Sequence, residues 1–242
     1  MIITSLDNNK IKDLVKLQNK KYRDLTNTFI VETPHLVEEA YKSNIVKEVF
    51  LLEGESTDLD VPITYVSQDV MKKITTMDTP STIIALCEKN NSNEIIGNKI
   101  LLLDNIQDPG NLGTIIRSSV AFNVDTIILS LDTVDLYNPK VLRSTQGMFS
   151  NINIIVMDLI DAINELKKRN IVIYSTNVVD GEDVRNIKDK SSYALVMGNE
   201  GNGVKKEIQE LCDKNLYIKM NSNAESLNVG VACSILLYEL GR

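Results

Sequence analysis

The sequence predicts an α/β chain in two parts: a mostly parallel sheet in the second part, preceded by a smaller α/β domain. Two observations carry this. After residue 98, five short runs are apolar throughout rather than alternating, as in strands buried on both faces of a sheet, with helical stretches between them. The polar, asparagine-rich stretch Glu88–Asn98 (EKNNSNEIIGN) separates two apolar runs and reads as a boundary. The expected organisation is one domain over residues 1–90, a linker over 91–98 and a second domain over 99–242.

In the first part, Phe29–Val31, Val49–Leu52, Ile63–Val66 and Ile83–Leu86 read as strands alternating with helical patterns. Thr33-Pro34 reads as a cap followed by proline at the first helical position, opening a helix over His35–Tyr41. In the second part the strand candidates are residues 100–103 (ILLL), 126–129 (TIIL), 153–156 (NIIV), 171–174 (IVIY) and 193–197 (YALVM). Helices are expected over Leu112–Phe122 and Asp158–Arg169, and a long apolar one over Leu227–Leu240. Such sheets bind ligands in loops beyond the carboxyl ends of their strands, which directs attention to the segments after Leu103, Met197 and Met220.

Of the 242 residues, 43% are hydrophobic and 24% charged, a soluble globular composition. With no tryptophan and 5% aromatics, the core must be aliphatic. Lys+Arg 26 against Asp+Glu 33 leaves a net charge of −7, so a nucleic-acid partner would need a local patch. The single histidine, His35, excludes a histidine-built metal site and argues against a Ser-His-Asp triad. No metal is expected. Cys87, Cys212 and Cys233 are far apart and odd in number, which fits a reducing compartment. No run approaches the roughly 18 apolar residues of a membrane span, and the first residues lack a signal-peptide core. A cytoplasmic protein without a membrane partner is expected.

Three loops do not look generic. In Asp104–Arg117 (DNIQDPGNLGTIIR), Asp108-Pro109-Gly110 is a turn and Asn111 is well placed to cap the following helix. Gly113 gives up helix propensity one turn before Arg117 on the same face, as though something approaches there. In Met197–Val204 (MGNEGNGV), three glycines and Glu200 follow a buried strand; the alternatives are close contact with a ligand and a flexible strand-to-helix turn. In Ile218–Gly230 (IKMNSNAESLNVG), Ser226 could cap the final helix, while Asn228 is less expected, because asparagine is a poor helix former just inside a helix. Together the loops offer groups suited to binding and orienting two substrates more than to covalent or metal chemistry.

With these loops the chain resembles the SpoU (TrmH) family of RNA ribose 2′-O-methyltransferases, within the knotted SPOUT class. The resemblance is carried by Asn105–Arg117 (NIQDPGNLGTIIR), Leu195–Gly203 (LVMGNEGNG) and Ile218–Ala232 (IKMNSNAESLNVGVA), in family order. The segments ITSLDNNKIKDLVKL and KKYRDLTNTFIVET resemble, more weakly, the family's ribosomal-protein-like RNA-binding domain. Two departures stand out. Lys219 replaces the proline of the usual Ile-Pro-Met, and Thr33 replaces the glycine of the usual Glu-Gly.

The resemblance implies a trefoil knot made by the second and third motif regions, S-adenosylmethionine bound there, and a homodimer whose active site draws on both subunits. It implies that Met197, Gly198, Asn199, Gly203, Ile218, Met220 and Leu227 line the cofactor, and that Asn111, Arg117, Glu200, Ser226 and Asn228 face the ribose. The family proposal makes the arginine a general base. A guanidinium with a pKa above about 12 rarely gives up its proton, and gripping the adjacent phosphate is an equally economical role. Residues 1–25 carry six basic and three acidic side chains. Lys12, Lys16 and Lys20 would share a helical face opposite Ile11 and Leu14, and with Arg23 form the RNA contact; otherwise they are a solvated face. Ribosomal RNA is expected ahead of transfer RNA, because a substrate domain precedes the catalytic one. A non-catalytic RNA-binding module is the alternative, should Lys219 close the cofactor site. A nucleotide-dependent oxidoreductase is disfavoured by the G-x-x-G-x-G spacing, and a dimeric scaffold would leave all three loops without a role.

Overall fold

Residues 2–90, 92–177 and 181–241 are described by the computed structural model. The chain groups into two units, residues 1–90 with 135–150 and residues 91–134 with 151–242.

The first unit begins with β1 (Ile2–Ile3), α1 (Asn9–Lys16) and α2 (Lys20–Thr26). It continues through β2 (Thr28–Glu32), α3 (Pro34–Lys42), β3 (Val46–Leu52), β4 (Ile63–Val66), α4 (Gln68–Ile74) and β5 (Ile83–Glu88). The sheet order is β1-β4-β3-β5-β2, with β5 antiparallel to both its neighbours. Ile11 and Leu14 of α1 and Val70, Met71 and Ile74 of α4 bury their helical faces against Ile30, Phe50, Val66 and Ile84 of the sheet.

The basic stripe expected at the N-terminus does not form. α1 ends at Lys16, and the Asn19 side chain accepts from Lys21 N to start a separate helix, so Lys20 does not continue the face of Lys12 and Lys16. Lys12 pairs with Asp7 at 3.0 Å and Lys16 with Asp13 at 2.8 Å. Arg23 is only 3% exposed: it pairs with Asp135 and donates from Nη1 to the Leu17 carbonyl at 2.7 Å. It is a structural ion pair, unavailable to a phosphate.

The second unit contains β6 (Lys99–Leu103), α5 (Pro109–Ala121) and β7 (Thr126–Leu129). The chain then supplies α6 (Pro139–Thr145), which belongs to the first unit, before β8 (Asn153–Val156). The second domain expected as a continuous 99–242 is therefore interrupted. The physical reason lies in the partners of that segment: Asp135 meets Arg23, Tyr137 and Phe149 stack on Phe29 with centroids 4.5 and 5.9 Å away, and Arg143 Nη1 donates to Thr76 Oγ1 at 2.8 Å. The unit continues with α7 (Leu159–Lys168), β9 (Ile173–Thr176), β10 (Glu182–Asp183), β11 (Tyr193–Met197), α8 (Lys206–Gln209), β12 (Lys214–Tyr217) and α9 (Val229–Gly241).

The second sheet runs β10-β12-β9-β11-β6-β7-β8 and every pairing in it is parallel. β9 starts two residues later than its apolar run, and β10 and β12 are short strands without an apolar signature. Leu103 stands opposite both Met197 and Leu129, so the carboxyl ends of β6, β7 and β11 share one edge. α9 lies along α5, with Ser118 Oγ 2.6 Å from Ser234 Oγ and the Phe122 and Tyr238 rings edge-on at 5.7 Å.

Thr33 explains one departure noted in the sequence. It caps α3, accepting weakly from Leu36 N at 3.4 Å, yet sits at φ +89°, where a β-branched residue is strained and glycine is at ease. Such strain is worth about 1–3 kcal/mol, while glycine gives up only a few tenths as an N-cap. Thr33→Gly should therefore stabilise the protein by about 1 kcal/mol after the unfolded-state entropy of glycine is subtracted. The measurement is the urea midpoint at unchanged m-value; a midpoint that stays or falls would mean the backbone there is unstrained.

Candidate active site

The edge shared by β6, β7 and β11 is held by the residues that follow β6. Asp104 N donates to Met197 O at 2.9 Å, and Asn105, at φ +58°, donates from its backbone to Ser130 Oγ at 2.9 Å. The Asp104 carboxylate is buried; it accepts from Lys205 N at 2.8 Å and lies 3.4 Å from Lys205 Nζ. Lys205 Nζ also reaches Asp132 at 2.8 Å. That ammonium, with the Ser130 hydroxyl, holds the Asp132 carboxyl below the usual carboxylate range.

Both ends of the glycine loop are thereby anchored: Lys205 at its exit, and Asn199 at its entry, whose Nδ2 donates to Asn105 O at 2.9 Å. The loop closes on itself through Asn199 N to Gly203 O at 3.0 Å and Gly203 N to Asn199 O at 2.9 Å. A Cβ at Gly198 would stand 2.1 Å from backbone atoms of Gly203 and Val204. Glycine is required there by the loop's own return, not by the approach of a ligand.

Two capping expectations are corrected. α5 is capped by Asp108, whose side chain accepts from Asn111 N at 2.8 Å, and α9 by Asn228, which accepts from Gly230 N at 3.0 Å and Val231 N at 3.3 Å. Ser226 is exposed and is not the cap. Relieved of capping, the Asn111 side chain donates from Nδ2 to Glu200 Oε1 at 2.5 Å and accepts from Asn228 Nδ2 at 2.8 Å. One residue from each of the three motif loops thus joins a single chain: α9 backbone, Asn228, Asn111, Glu200.

Beside it lies a cavity of about 540 Å³, lined by Met197, Gly198, Asn199, Gly203, Ile218, Met220 and Leu227, and by Glu200 and Ser226. Its remaining walls include Thr176 and Asn177, beyond β9, and apolar Leu216, Val229 and Leu236. Among the described residues lining it, Glu200 carries the only formal charge. The loop after β9 was missed in the sequence, although the strand-end rule that singled out the other loops applies to it equally. Lys219 is exposed and outside the lining, between Ile218 and Met220 which are in it.

Arg117 is not brought to this group. It is exposed and makes no hydrogen bond or ion pair among the described residues. Six residues on from Asn111, it lies about 120° away around α5. Gly113 is buried in that helix. Burial pushes the Cys87 and Cys233 thiols up, and Cys212 to about 11, so these sulfurs stay protonated at neutral pH. Among the described residues no group of three or more His, Cys, Asp or Glu side chains could hold a metal ion.

Residues 98–238 match the SpoU rRNA Methylase family and residues 8–85 the MRM3-like substrate binding domain. The chain is 42% identical over 244 residues, covering 98% of both chains, to the 23S rRNA (guanosine(2553)-2′-O)-methyltransferase RlmP of Bacillus subtilis. Two solved structures are similar along nearly their whole lengths. One is a putative RNA methyltransferase of the TrmH family from Porphyromonas gingivalis, with TM-score 0.88, 28% identity and 98% of each chain covered. The other is an AdoMet-bound rRNA methyltransferase from Sinorhizobium meliloti, with TM-score 0.87, 29% identity and 99% and 97% covered.

The loop geometry sets two glycines apart. Gly198→Ala should destabilise by about 1–3 kcal/mol, as overpacking against backbone does, and should expose the Asn199 and Gly203 amides to hydrogen exchange. Gly201→Ala, whose Cβ would meet only Asn199 Oδ1 at 3.4 Å, should be tolerated. Equal behaviour of the two variants would contradict the closed-loop account.

Proposed function

The chain belongs to the SpoU rRNA methylase family, and from that premise we propose that it transfers a methyl group from S-adenosylmethionine to a ribose 2′-hydroxyl of 23S ribosomal RNA. The observation that carries the reading is the cavity: apolar walls, backbone groups of three loops, and one carboxylate. About 540 Å³ falls within the size range of small-molecule sites. A single anionic group suits a ligand with net positive charge. When bound, S-adenosylmethionine supplies an electrophilic methyl on a cationic sulfur. Leu216, Val229, Leu236, Ile218 and Met220 would hold its apolar parts, with Met197, Gly198, Asn199, Gly203 and Leu227 offering mainly backbone groups. The open cavity argues against the non-catalytic alternative, since Lys219 is exposed and outside its lining.

The amide chain defines what the protein contributes to chemistry. Asn111 and Asn228 spend their side-chain groups on each other, on Glu200 and on the α9 cap, so they orient Glu200 and leave its second carboxylate oxygen and the Ser226 hydroxyl for the ribose. Positioning of this kind is worth up to about 7–11 kcal/mol in favourable reactions.

Arg117 points elsewhere on α5, which supports a homodimer in which the partner supplies the arginine. Exposed Val231 and Tyr238 on α9, beside α5, favour the same face for that contact. Its role is to hold the phosphate next to the target ribose, because a guanidinium remains protonated. The reading extends to a trefoil knot through the second and third motif loops. The homology to the Bacillus subtilis enzyme favours 23S rRNA, at the guanosine equivalent to its target, and a cytoplasmic setting.

Arg117→Ala should leave S-adenosylmethionine affinity by calorimetry nearly unchanged and lower single-turnover methylation severely. Arg117→Lys should be defective at every pH; recovery at high pH would make the residue a base. Mixing the inactive Arg117→Ala and Glu200→Gln proteins in equal amounts should restore about a quarter of wild-type activity, since half the dimers then carry one intact site of two. No recovery after subunit exchange would place both groups in one chain. Absence of 2′-O-methyl transfer to 23S rRNA by the wild-type protein would remove the reading itself.

A further inference from the structure

Carboxylates pair with four of the six cations that the N-terminal sequence advertises, Lys10, Lys12, Lys16 and Arg23, and several of the cations left over, Lys20 among them, come together elsewhere in the same unit. Lys12, Lys16, Arg23, Lys42, Lys47 and Lys89 each pair with an acid; Lys10 pairs with Glu48. Among the described residues of the first unit, Lys20, Lys21, Lys72, Lys73, Lys140 and Arg143 have no carboxylate partner, and Lys73 Nζ donates to the Leu6 carbonyl at 2.9 Å. The unit's unpaired acids are mainly on the loop after β3, as Glu53, Glu55, Asp58 and Asp60.

Four of these, Lys20, Lys72, Lys140 and Arg143, lie near Thr75 and Thr76, at the end of α4. Gln18, two residues before Lys20, donates from Nε2 to the Ile74 and Thr75 carbonyls at 3.5 Å. Arg143 of α6 donates to Thr76 Oγ1 at 2.8 Å, with Lys140 one turn earlier on that helix. Lys72 is one turn before Thr76 in α4. The buried acid beside the group, Glu32, hydrogen-bonds to the threonines and forms no ion pair among the described residues: it accepts from Thr75 Oγ1 at 2.5 Å and from Thr76 N and Oγ1 at 2.9 and 2.5 Å. Asp69 at the start of α4 and Asp78 just beyond Thr76 are the acids in sequence closest to the group.

We infer that Lys20, Lys72, Lys140 and Arg143, arranged around Thr75–Thr76, form the surface on which the first unit holds the phosphodiester backbone of substrate RNA. The inference deepens the methyltransferase reading and rests on it for the class of partner. Unpaired lysines keep their full charge for phosphates and release counterions on binding, whereas a lysine already held by an aspartate must first give up that pair. α6 is central to this: a cationic helix encoded amid the second unit's strands completes the substrate surface of the first.

The test compares two sets of exposed substitutions. One protein carries Lys20→Gln, Lys72→Gln and Lys140→Gln; the control carries Lys12→Gln and Lys16→Gln. Binding of unmodified 23S rRNA transcript is titrated over salt concentration, with thermal unfolding and S-adenosylmethionine calorimetry in parallel. The triple variant should bind RNA at least about tenfold more weakly and lose about two units of salt slope, near 0.7 per phosphate contact. Its KM for RNA should rise while kcat at saturating RNA and cofactor affinity stay as in wild type. The control should move neither slope nor KM. A wild-type salt slope in the triple variant, or an equal loss in the control, overturns the inference while leaving the methyltransferase reading intact. Weaker binding to ribosomal particles with unchanged binding to naked RNA would assign the patch to a protein partner and overturn it as well. A wild-type protein that neither binds the cofactor nor methylates RNA would instead remove the earlier reading.

Discussion

The parallel pairing of β6 with β11, Lys99–Leu103 against Tyr193–Met197, is the constraint on which the functional edge depends. It brings together chain segments far apart in sequence, so that Asn111 and Glu200, separated by 89 positions, become hydrogen-bond partners. The cost of closing so long a loop grows only slowly with its length, and burial of two apolar strands in the centre of the sheet offsets it. Once that register is set, the short loops need only local bonds. Asp104 and Asn105 take hold of the exit and entry of the glycine loop, and Asn199 ties the loop to itself.

The amide chain then inherits its direction from α9. Backbone N–H groups at the start of that helix donate to Asn228, which donates to Asn111, which donates to Glu200. Every donor points toward the carboxylate, so each amide has a single sensible orientation and polarises the next. A helix start, ordinarily a place that attracts an anion directly, acts here through two side chains on an anion one loop away.

Sequence pattern made the second sheet legible because its strands are buried on both faces and announce themselves as uniform apolar runs. β10 and β12 have no such signature: they sit toward the far side of the sheet, and DGEDV and DKNLY look like ordinary loop. Most of the residues that line the cavity lie in the motifs, but the motifs concealed who caps whom. Asp108 and Asn111 are both good N-caps, as are Ser226 and Asn228, and only the backbone geometry separates the capping residue from the one released for other work. The N-terminal lysines misled for a related reason. Charge spacing predicts a shared face only while one helix continues, and Asn19 starts a second one. Nor does spacing reveal that Arg23 has an acid waiting more than a hundred residues downstream.

That distant partner has a consequence for how the protein is made. Asp135, Tyr137, α6 and Phe149 complete the first unit, but a ribosome delivers them only after β6, α5 and β7 have emerged. The N-terminal ninety residues accordingly spend part of synthesis with Arg23 unpaired and one side of Phe29 uncovered, in a form that cannot yet be native. Domains usually fold in order from the N-terminus during translation. Here the first unit has to wait for the second to begin, and a fragment cut at residue 90 would carry a buried-type arginine with no counter-charge.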